Sequence, residues 1–553
     1  MIRPAAEALA PGHSYDVCVV GSGPAGATVA AELADSGLEV LVLESGGTQV
    51  TARGDALREA SSTGLWIKPW SRERVLGGAS TTWAGLSSPL DDADLAPRPH
   101  LGGVGWPLPQ AELEGLWEEA AARYRFPSAA RFGAEGFGRL RTKGDLQPAW
   151  EELEEKVFLA AAEPQDFGRE QRATWEHAHV TLCLGASVTG LETQDGGVVT
   201  SARVQDASGE QHEARARAFV LACGGIENAR LLLVSRDADG VALGNAHDQV
   251  GRCFMNHPKS YAGTLRFREP VRSAPYYFGC IHEGFAGYAG LRLPTARQAE
   301  LGLVNSYVRL EPLFPWSDNP GIEALVTLVK RMSAVMRAFR RSRQDEVVEL
   351  RDYAETGDDS EVQNARKSWL DWVRLAGTVV AHLPGVLHYL SYRVTRRQAP
   401  IHRARIRAFM EMEPSLENRV TLGEGVDAHG TPLPHVHHDV SPRDRRSMVA
   451  VYEALARDLE RTGLATLEEP LTDTDPWPID QDASHHMGTT RMGTDPASSV
   501  TDPDLLVRGT TNLYAAGASS FPTSGCANPT YTIVAMSIRL ARHLRACLQE
   551  EGA

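Results

Sequence analysis

The chain has 553 residues, 42% hydrophobic and 23% charged, values that are typical of a globular protein and exclude a disordered chain. This length is too great for one simple core, so two domains with a shared interface are expected. Its 56 basic and 71 acidic side chains give a net charge of −15, which argues against nucleic-acid binding. A cationic substrate would suit this charge, although a solubilising surface is the simpler explanation.

The cysteines and the lack of long apolar runs limit the cellular setting. The seven cysteines are odd in number and form no CxxC pair, so we expect no disulfide framework, zinc site or other metal site. The N-terminus lacks the apolar region of a secretory signal. No uncharged apolar run reaches the ~18 residues that a membrane span needs. A cytoplasmic protein without a transmembrane segment is therefore predicted.

The first elements along the chain form one βαβ unit. Asp16–Val20 and Glu39–Leu43 are apolar enough to be short buried strands, and the small residues of Ala25–Ser36 between them predict a helix. A second helix is predicted at Gln110–Tyr124, because its apolar residues recur on one face.

Strands with a turn at Asp195–Gly197 are predicted within residues 180–204, and another buried strand at Ala218–Cys223 precedes a helix through Ala229–Val234. The end of the chain is predicted as a strand, a loop and a helix, at Asn512–Ala516, Ser519–Ala527 and Thr530–Leu548.

Residues from Gly321 to about Arg397 are predicted to form a helical insertion. Its basic residues would suit a helix on a membrane surface, but packing on the second domain is the preferred interpretation. Arg374 and Pro384 interrupt the apolar stretch Trp369–Leu390, which weakens a membrane-spanning interpretation. Acidic residues gather at Asp345–Asp359, in an expected solvated loop. The basic residues are Lys330, Arg331, Arg337, Arg340, Arg341 and Arg343.

A glycine-rich loop follows the first predicted strand and opens the first predicted helix. It consists of Gly21, Ser22, Gly23, Pro24, Ala25 and Gly26. The first glycine permits a tight turn, the second lets backbone N–H groups approach a pyrophosphate, and the third allows close packing of helix on strand. Glu44, next to Ser45, ends the second strand and can accept hydrogen bonds from an adenosine ribose. The pattern predicts a dinucleotide site but does not choose between FAD and NAD.

A second cluster of small residues favours a flat ligand. It consists of Gly77, Gly78, Ala79, Ser80, Thr81, Thr82, Trp83, Ala84 and Gly85. Small residues let the backbone approach a flat ring closely, whereas the alternative is a plain surface loop.

The last 75 residues carry the most specific motifs, which are His485–Gly493, Asn512–Ser519 and Pro522–Thr530. With them, the chain resembles the glucose–methanol–choline (GMC) oxidoreductases. The other matching pieces are the glycine loop, Gly77–Gly85, Gly105-Trp106-Pro107, Ala222–Gly225 and Gly251–Lys259 with Asn256-His257-Pro258. These pieces sample the chain from end to end, apart from the insertion at 321–397.

The resemblance implies an α/β fold with a doubly wound, Rossmann-like FAD-binding domain and an α+β substrate domain built on an antiparallel sheet. The FAD-binding domain is expected at 1–100, 168–257 and 478–553, and the substrate domain at 101–167 and 258–477. Besides the glycine loop, Glu44, Ser45, Gly77, Gly78, Ser80 and Thr82–Gly85, the residues expected to hold FAD are Val188, Cys223, Gly224, Asn228, Gly517, Ala518, Asn528, Pro529 and Thr530.

In this family a histidine and an asparagine lie over the flavin, and the motifs place them at His485 and Asn528. An alcohol must lose its hydroxyl proton as hydride leaves its carbon for flavin N5, and a neutral imidazole suits that task. Asn528 can hold the same oxygen but cannot take a full proton, so His485 is the expected base. His486 is the competitor, for which a structural role is the preferred interpretation.

Two details concern the flavin itself. Asn528-Pro529-Thr530 opens the last helix, whose dipole would stabilise negative charge on the reduced ring. Pyranose oxidases carry a histidine in the Ser-Thr-x-Trp loop that bonds covalently to the flavin. Here that position is Thr82, so non-covalent FAD is expected.

The substrate is less well defined. The resemblance favours an alcohol on a sugar, glycoside or aminosugar, with bacterial pyranose and glycoside oxidases and aminoglycoside-pathway dehydrogenases as the alternatives. Tyr276–Tyr288 and Arg405–Glu413 are candidate lining segments. Whether oxygen or another acceptor takes the electrons, and whether the protein is an oligomer, stay open. A non-redox flavoprotein lyase and a nicotinamide enzyme are the rival classes.

Overall fold

The computed structural model describes residues 1–331, 369–395 and 397–550, and two large sheets dominate this part of the chain. The first, here called the parallel sheet, has five strands in parallel register. Their spatial order is Leu513–Ala515, Ala216–Leu221, Tyr15–Val20, Val40–Glu44 and Val180–Leu184. The first strand of the chain is therefore central, and the loop after it opens at the carboxyl edge of the sheet.

Both faces of the parallel sheet are buried, which explains its continuously apolar strands. Val17 and Val19 pack on one side under helices Pro24–Leu33, Gln110–Tyr124 and Thr530–Glu550. Cys18 and Val20 pack on the other side, under helix Gly225–Val234 and a three-stranded antiparallel sheet. The strands of that small sheet are Ser187–Gln194, Val198–Gln205 and Gln211–Ala214.

The second large sheet, here called the antiparallel sheet, has eight strands. Its order is Ala465–Glu468, Lys259–Val271, Ile401–Phe409, Tyr307–Leu313, Phe285–Arg292, Glu154–Ala161 and Leu86–Ser87, with Cys280–His282 paired to Phe285–Arg292. Helix Pro442–Thr462 covers one face through Met448, Val451 and Leu455. The other face carries the stacked rings of Phe158, Tyr288, Tyr307 and Phe409.

The remaining strands form two small sheets of their own. Arg419–Val426 pairs with Pro432–His437, which pairs with Ser61–Thr63, and Asp482–Ala483 pairs with Trp66–Ile67. The other short α-helices are Ala5–Ala8, Ala52–Ala56, Asp92–Leu95, Ala129–Phe132, Phe167–Glu170, Arg172–Glu176, Pro275–Phe278 and Thr295–Leu301. The 3-10 turns are Ala34–Ser36, Pro69–Arg72, Gly78–Thr81, Pro99–Leu101, Phe137–Thr142 and Ala518–Ser520.

The α/β class with a second, antiparallel sheet is confirmed. Among individual elements, the helix at Gln110–Tyr124 matches its prediction, and the predicted helix Ala25–Ser36 is an α-helix over Pro24–Leu33 extended by a 3-10 turn. The strand predicted at Ala218–Cys223 ends at Leu221, so its last two residues were wrong. Ala222 still donates its N–H to the Val20 carbonyl, but the chain turns away at Cys223, which donates its N–H to the Asn228 side chain ahead of Gly224 at φ +85°.

The predicted insertion is helical where it is described, at Pro320–Arg331, Trp369–Ala381 and Leu383–Thr395. Trp316 packs against Tyr389 and Tyr392, which ties the last of these helices to the antiparallel sheet domain. The basic residues Arg337, Arg340, Arg341 and Arg343, and the acidic stretch 345–359, lie outside the described residues. Among the helices that are described, none combines the length and apolarity needed to cross a bilayer.

The predicted domain boundaries stay a prediction. One hairpin, Arg419–Val426 with Pro432–His437, falls inside the range assigned to the substrate domain. Its Val420 and Val436 are nevertheless buried in the cluster below the parallel sheet.

Candidate active site

A cleft between the two large sheets contains most of the predicted cofactor residues. Those that line it are Gly21, Ser22, Gly23, Pro24, Ala25, Glu44, Ser45, Gly78, Ser80, Thr82, Trp83, Ala84, Gly85, Val188, Cys223, Gly224, Gly517, Ala518, Asn528, Pro529 and Thr530. The cleft runs from the glycine loop, here called the nucleotide end, to His485 and Asn528, here called the catalytic end.

Three predicted cofactor residues lie behind the cleft wall and hold it in shape. A Cβ atom on Gly26 would lie 1.9 Å from the Gly21 carbonyl oxygen, so only glycine allows this helix to approach its strand. Gly77 donates its N–H to the Ser22 hydroxyl across 3.1 Å. The buried Asn228 side chain donates to the Ala516 carbonyl at 2.9 Å and to the Ser519 hydroxyl at 2.9 Å. These bonds link helix Gly225–Val234 to the segment that contains Gly517 and Ala518.

The glycine loop has the shape of a phosphate cradle. Gly21 has φ +104°, and a Cβ there would lie 2.6 Å from the Ala222 carbonyl oxygen. A Cβ on Gly23, in contrast, would meet no atom within 4 Å, so this side of the loop faces open cleft. Helix Pro24–Leu33 begins at Gly23 without a side-chain cap, which leaves its first N–H groups to an anionic ligand.

Glu44 lies beside this cradle at the end of its strand. Its Oε2 atom accepts from the Ser22 hydroxyl at 2.7 Å, and its Oε1 atom accepts from the Gly46 N–H at 2.8 Å. Glu44 also accepts from the Ser22 N–H at 3.2 Å and from the Ser45 hydroxyl at 3.4 Å, so its about four acceptor positions are all in use, and a ribose hydroxyl would have to replace the long contact with Ser45.

Sequence reasoning missed a buried ionic cluster at the nucleotide end. Glu227 accepts from Arg72, lies 3.1 Å from Arg74 and 3.3 Å from Arg230, and Arg230 also pairs with Asp427 at 2.6 Å. Burial alone would raise the pKa of Glu227, but the three arginines outweigh it and hold the pKa below its ordinary value. The signal available in the sequence was the Arg-x-Arg pair just before the Gly77–Gly85 loop.

His429 is a further residue of this end that the sequence did not reveal. Its Nδ1 atom bonds the Gln205 side chain at 2.6 Å. Its Nε2 atom is buried without a hydrogen-bond partner among the described residues, while the residue lines the cleft. A buried polar atom of this kind is satisfied when a ligand with polar groups fills the cleft.

Three separate segments meet at the catalytic end. The Nε2 atom of His485 lies 3.4 Å from the Asn528 amide nitrogen, and its Nδ1 atom lies 2.9 Å from Nδ1 of His257. The second ring nitrogen of His257 lies 2.8 Å from the Gly525 carbonyl oxygen. Sequence reasoning brought His485 and Asn528 together but gave His257 no role, although its motif was noted.

The backbone explains why these segments meet. Met255 and Met487 exchange two backbone hydrogen bonds, at 3.0 and 3.1 Å. The Asn256 side chain accepts the N–H of His485 at 3.2 Å, one residue away from this bridge. The two histidines are thus placed opposite each other by main-chain pairing rather than by their own side chains.

Burial keeps both histidines neutral. It lowers the pKa of His257 to about 4 and the pKa of His485 well below its ordinary value. The neighbouring His257 and Lys259 lower the pKa of His485 further. His485 therefore carries an unprotonated ring nitrogen near neutral pH, as a general base requires.

The antiparallel sheet supplies the opposite wall of the catalytic end. Tyr288, Arg407 and Phe409, from the two predicted lining segments, face the cleft together with Lys259 and Arg309. The Arg309 guanidinium lies 4.2 Å from the centre of the Tyr288 ring. The predicted residues Tyr276 and Tyr277 are instead buried in the core on the other side of this sheet.

His486 and Thr82 occupy different parts of the same cleft. The His486 ring stacks on Phe254 and its Nε2 atom lies 3.5 Å from the Ser71 hydroxyl, whereas His485 faces Asn528. Thr82 donates its hydroxyl to the Trp70 carbonyl at 2.7 Å. The expected roles of these residues stay predictions.

Comparison with known proteins identifies two domains. Residues 16–241 match the model of FAD-dependent oxidoreductases, and residues 414–537 match the C-terminal model of GMC oxidoreductases. The chain therefore combines an FAD-dependent oxidoreductase domain with the C-terminal domain of the GMC oxidoreductases. It is an FAD-dependent enzyme that acts on CH–OH groups, so FAD, which the glycine loop alone could not separate from NAD, is its cofactor.

Two relatives and one solved structure show how far the similarity extends. The enzyme is 26% identical to 6'''-hydroxyparomomycin C oxidase of Streptomyces lividus, over 99% of this chain and 95% of that protein. It is 37% identical to a C-glycoside 3-oxidase of Arthrobacter globiformis over 131 residues, 23% of this chain and 24% of that one. The crystal structure of pyridoxine 4-oxidase from Mesorbium loti covers 96% of the enzyme with a TM-score of 0.50 and 17% identity, which supports the fold.

Proposed function

We propose that the enzyme oxidises a secondary or primary alcohol of a sugar, glycoside or aminosugar, with His485 as the base and Asn528 as its partner. The proposal rests on one observation: Nε2 of a neutral, half-buried His485 faces the Asn528 amide where the cofactor cleft meets the antiparallel sheet. When bound, FAD supplies the acceptor for the hydride that leaves the alcohol carbon.

The side chains at this end have distinct tasks in the proposed reaction. His485 Nε2 takes the hydroxyl proton, while the Asn528 amide donates to the same oxygen and so orients the alcohol. Phe409 lines the cleft with its ring stacked on Tyr307, and it offers an apolar surface on which a sugar ring can pack and exclude water. The last helix begins at Thr530 and lies with its positive end at the cleft.

The residues of the nucleotide end support non-covalent FAD. The open face of Gly23, the uncapped helix and Glu44 fit a pyrophosphate and a ribose. Thr82 has no imidazole with which to bond the flavin. After acid precipitation, the yellow colour should stay in the supernatant, whereas a yellow pellet would contradict a dissociable cofactor.

The substrate class is tested by anaerobic mixing with a panel of neutral sugars, glycosides and aminoglycosides. Bleaching of the flavin absorbance and identification of the product would fix the reaction and the oxidised carbon together. If none of these alcohols bleaches the flavin, the proposed function is wrong. Repeating productive reactions in air and with an artificial acceptor separates an oxidase from a dehydrogenase.

The panel also resolves two opposing indications. The full-length relative named above acts on an aminoglycoside derivative, which favours an aminosugar. Of the charged side chains that line the cleft, Lys68, Lys259, Arg309 and Arg407 lie toward the catalytic end, where the two arginines pair with the buried Glu311. The carboxylates that line the cleft, Glu44, Glu73, Glu227 and Asp427, lie toward the nucleotide end. The net charge of the chain is therefore a poor guide to the charge of the substrate.

A further inference from the structure

We propose that His257 fixes the tautomer of His485, so that the lone pair of the base is held on Nε2, the nitrogen that faces Asn528. The inference rests on the proposed function, because it concerns the same base. It assigns a positioning task to a residue that would not itself touch the substrate.

The Gly525 carbonyl determines which nitrogen of His257 carries the hydrogen. A carbonyl oxygen only accepts, so the 2.8 Å contact with His257 Nε2 requires a hydrogen on that nitrogen. Burial lowers the pKa of His257 to about 4, so the ring is neutral near pH 7 and carries only this one hydrogen. Its Nδ1 atom is consequently an acceptor.

The two histidine rings share one hydrogen bond. His257 Nδ1 lies 2.9 Å from His485 Nδ1, and two ring nitrogens form a hydrogen bond only if one carries a hydrogen. Since His257 Nδ1 accepts, His485 Nδ1 must donate. A neutral His485 then has its lone pair on Nε2, and the Asn528 amide N–H at 3.4 Å is oriented to donate to it.

The Gly525 carbonyl is itself held in place by the packing and hydrogen bonds of its loop. Gly525 has φ +56°, and a Cβ there would lie 2.6 Å from an Asp94 carboxylate oxygen, so a side chain at this position would displace the loop. The Gly525 N–H donates to Glu411 at 3.0 Å. Glu411 is fully buried and forms a bidentate salt bridge with Arg98, with N···O distances of 2.6 and 3.0 Å. A rigid ion pair therefore anchors the loop that selects the tautomer of His257.

Two isosteric variants separate this task from packing. In His257→Asn, the amide oxygen takes the place of Nδ1 and can still accept from His485. In His257→Gln, the amide nitrogen takes the place of Nε2 and can still donate to Gly525, but the acceptor opposite His485 is lost. We expect the rate of flavin reduction to fall by about 10- to 100-fold in His257→Gln, the range for groups that orient a histidine. His257→Asn should recover most of this loss.

The pH profile separates a change in the tautomer of His485 from a change in its pKa. Moving a hydrogen from Nδ1 to Nε2 changes no net charge, so the loss in His257→Gln should be the same factor at every pH at which His485 is neutral. The charged and titratable groups that face the two rings are Lys259, Lys68, His486 and Glu411, and they are unchanged in both variants. Equal rates for the two variants, or a loss that vanishes at high pH, would overturn the inference.

A measurement without substrate keeps this test separate from the proposed function. In protein labelled with ¹⁵N-histidine, the His485 signals are identified as those missing from His485→Gln. They should show a protonated Nδ1 and an unprotonated Nε2 in wild-type enzyme and in His257→Asn, and a mixture in His257→Gln. A protonated Nε2 in the wild type would overturn the inference. A normal reduction rate in His485→Ala would instead overturn the proposed base and leave the tautomer assignment standing.

Discussion

The two ends of the cleft are built by opposite physical means. The nucleotide end uses a contiguous loop, glycines whose backbone angles exclude side chains, and arginines paired with carboxylates. The catalytic end joins residues more than two hundred positions apart through neutral ring nitrogens, a carbonyl and an amide. The nucleotide end thus depends on buried charges, and the catalytic end depends on which nitrogen atoms carry hydrogens. Substitutions at the two ends should therefore have different effects.

The largest effect is expected at the catalytic end. His485→Ala removes the acceptor for the hydroxyl proton, so the rate of flavin reduction should fall by about 10²- to 10⁴-fold while FAD stays bound. Stopped-flow reduction under anaerobic conditions measures this directly.

The control is another buried histidine outside the cleft. His438 is buried, with a pKa lowered to about 4 by burial, and contacts Met412 rather than His485. His438→Ala should leave the reduction rate within a few-fold of wild type. A larger loss in His486→Ala than in His485→Ala would move the base to the neighbouring residue.

At the nucleotide end the largest effect should come from charge. Glu227→Gln leaves Arg72, Arg74 and Arg230 without their common partner, which should lower the free energy of unfolding by about 3–5 kcal/mol. Denaturant unfolding checks this value. As a matched control, Glu300→Gln breaks the solvent-exposed pair with Arg297 and should leave the free energy of unfolding nearly unchanged. Similar losses for the two variants would show that the buried cluster has no special role.

A smaller effect is expected from the cradle. Gly21→Ala adds both the cost of a positive φ and a collision with the Ala222 carbonyl, so FAD affinity should fall together with stability. Gly37→Ala carries the φ cost alone, since a Cβ at Gly37 (φ +80°) would meet no atom within 4 Å. The FAD content of the two purified variants is the comparison. If both retain FAD equally, close approach at Gly21 does not matter.

The smallest effect is expected in the pH dependence of flavin reduction. Because the pKa of His485 is far below its ordinary value, His485 stays unprotonated from pH 8 to pH 6, and flavin reduction by a neutral substrate should vary less than about twofold there. The rate should fall only at more acidic pH, when His485 gains a proton. A loss of rate centred near pH 6.5 would mean that burial does not depress this pKa.

Whether the sequence could predict a residue's role depended on how near its partners lie along the chain. Gly21–Gly26 and Glu44 could be predicted because strand, loop and helix are neighbours in sequence and impose their geometry locally. His257 and Glu227 could not, because their roles come from contacts with residues 228 and 155 positions away. The end of the strand before Gly224 was also predicted wrongly, because a hydrogen bond to the Asn228 side chain ends that strand.

What the sequence alone determined was the α/β class, the phosphate cradle, and a histidine and an asparagine in family motifs. These depend on periodicity, on glycine's backbone freedom and on short fixed spacings. Only the tertiary structure decided which groups surround them: the arginines that share Glu227, the aromatic and cationic wall of the antiparallel sheet, and the path from Glu411 through Gly525 and His257 to His485. The physical reason is that hydrogen bonds and buried charges are short-range interactions between chain segments that only folding brings together.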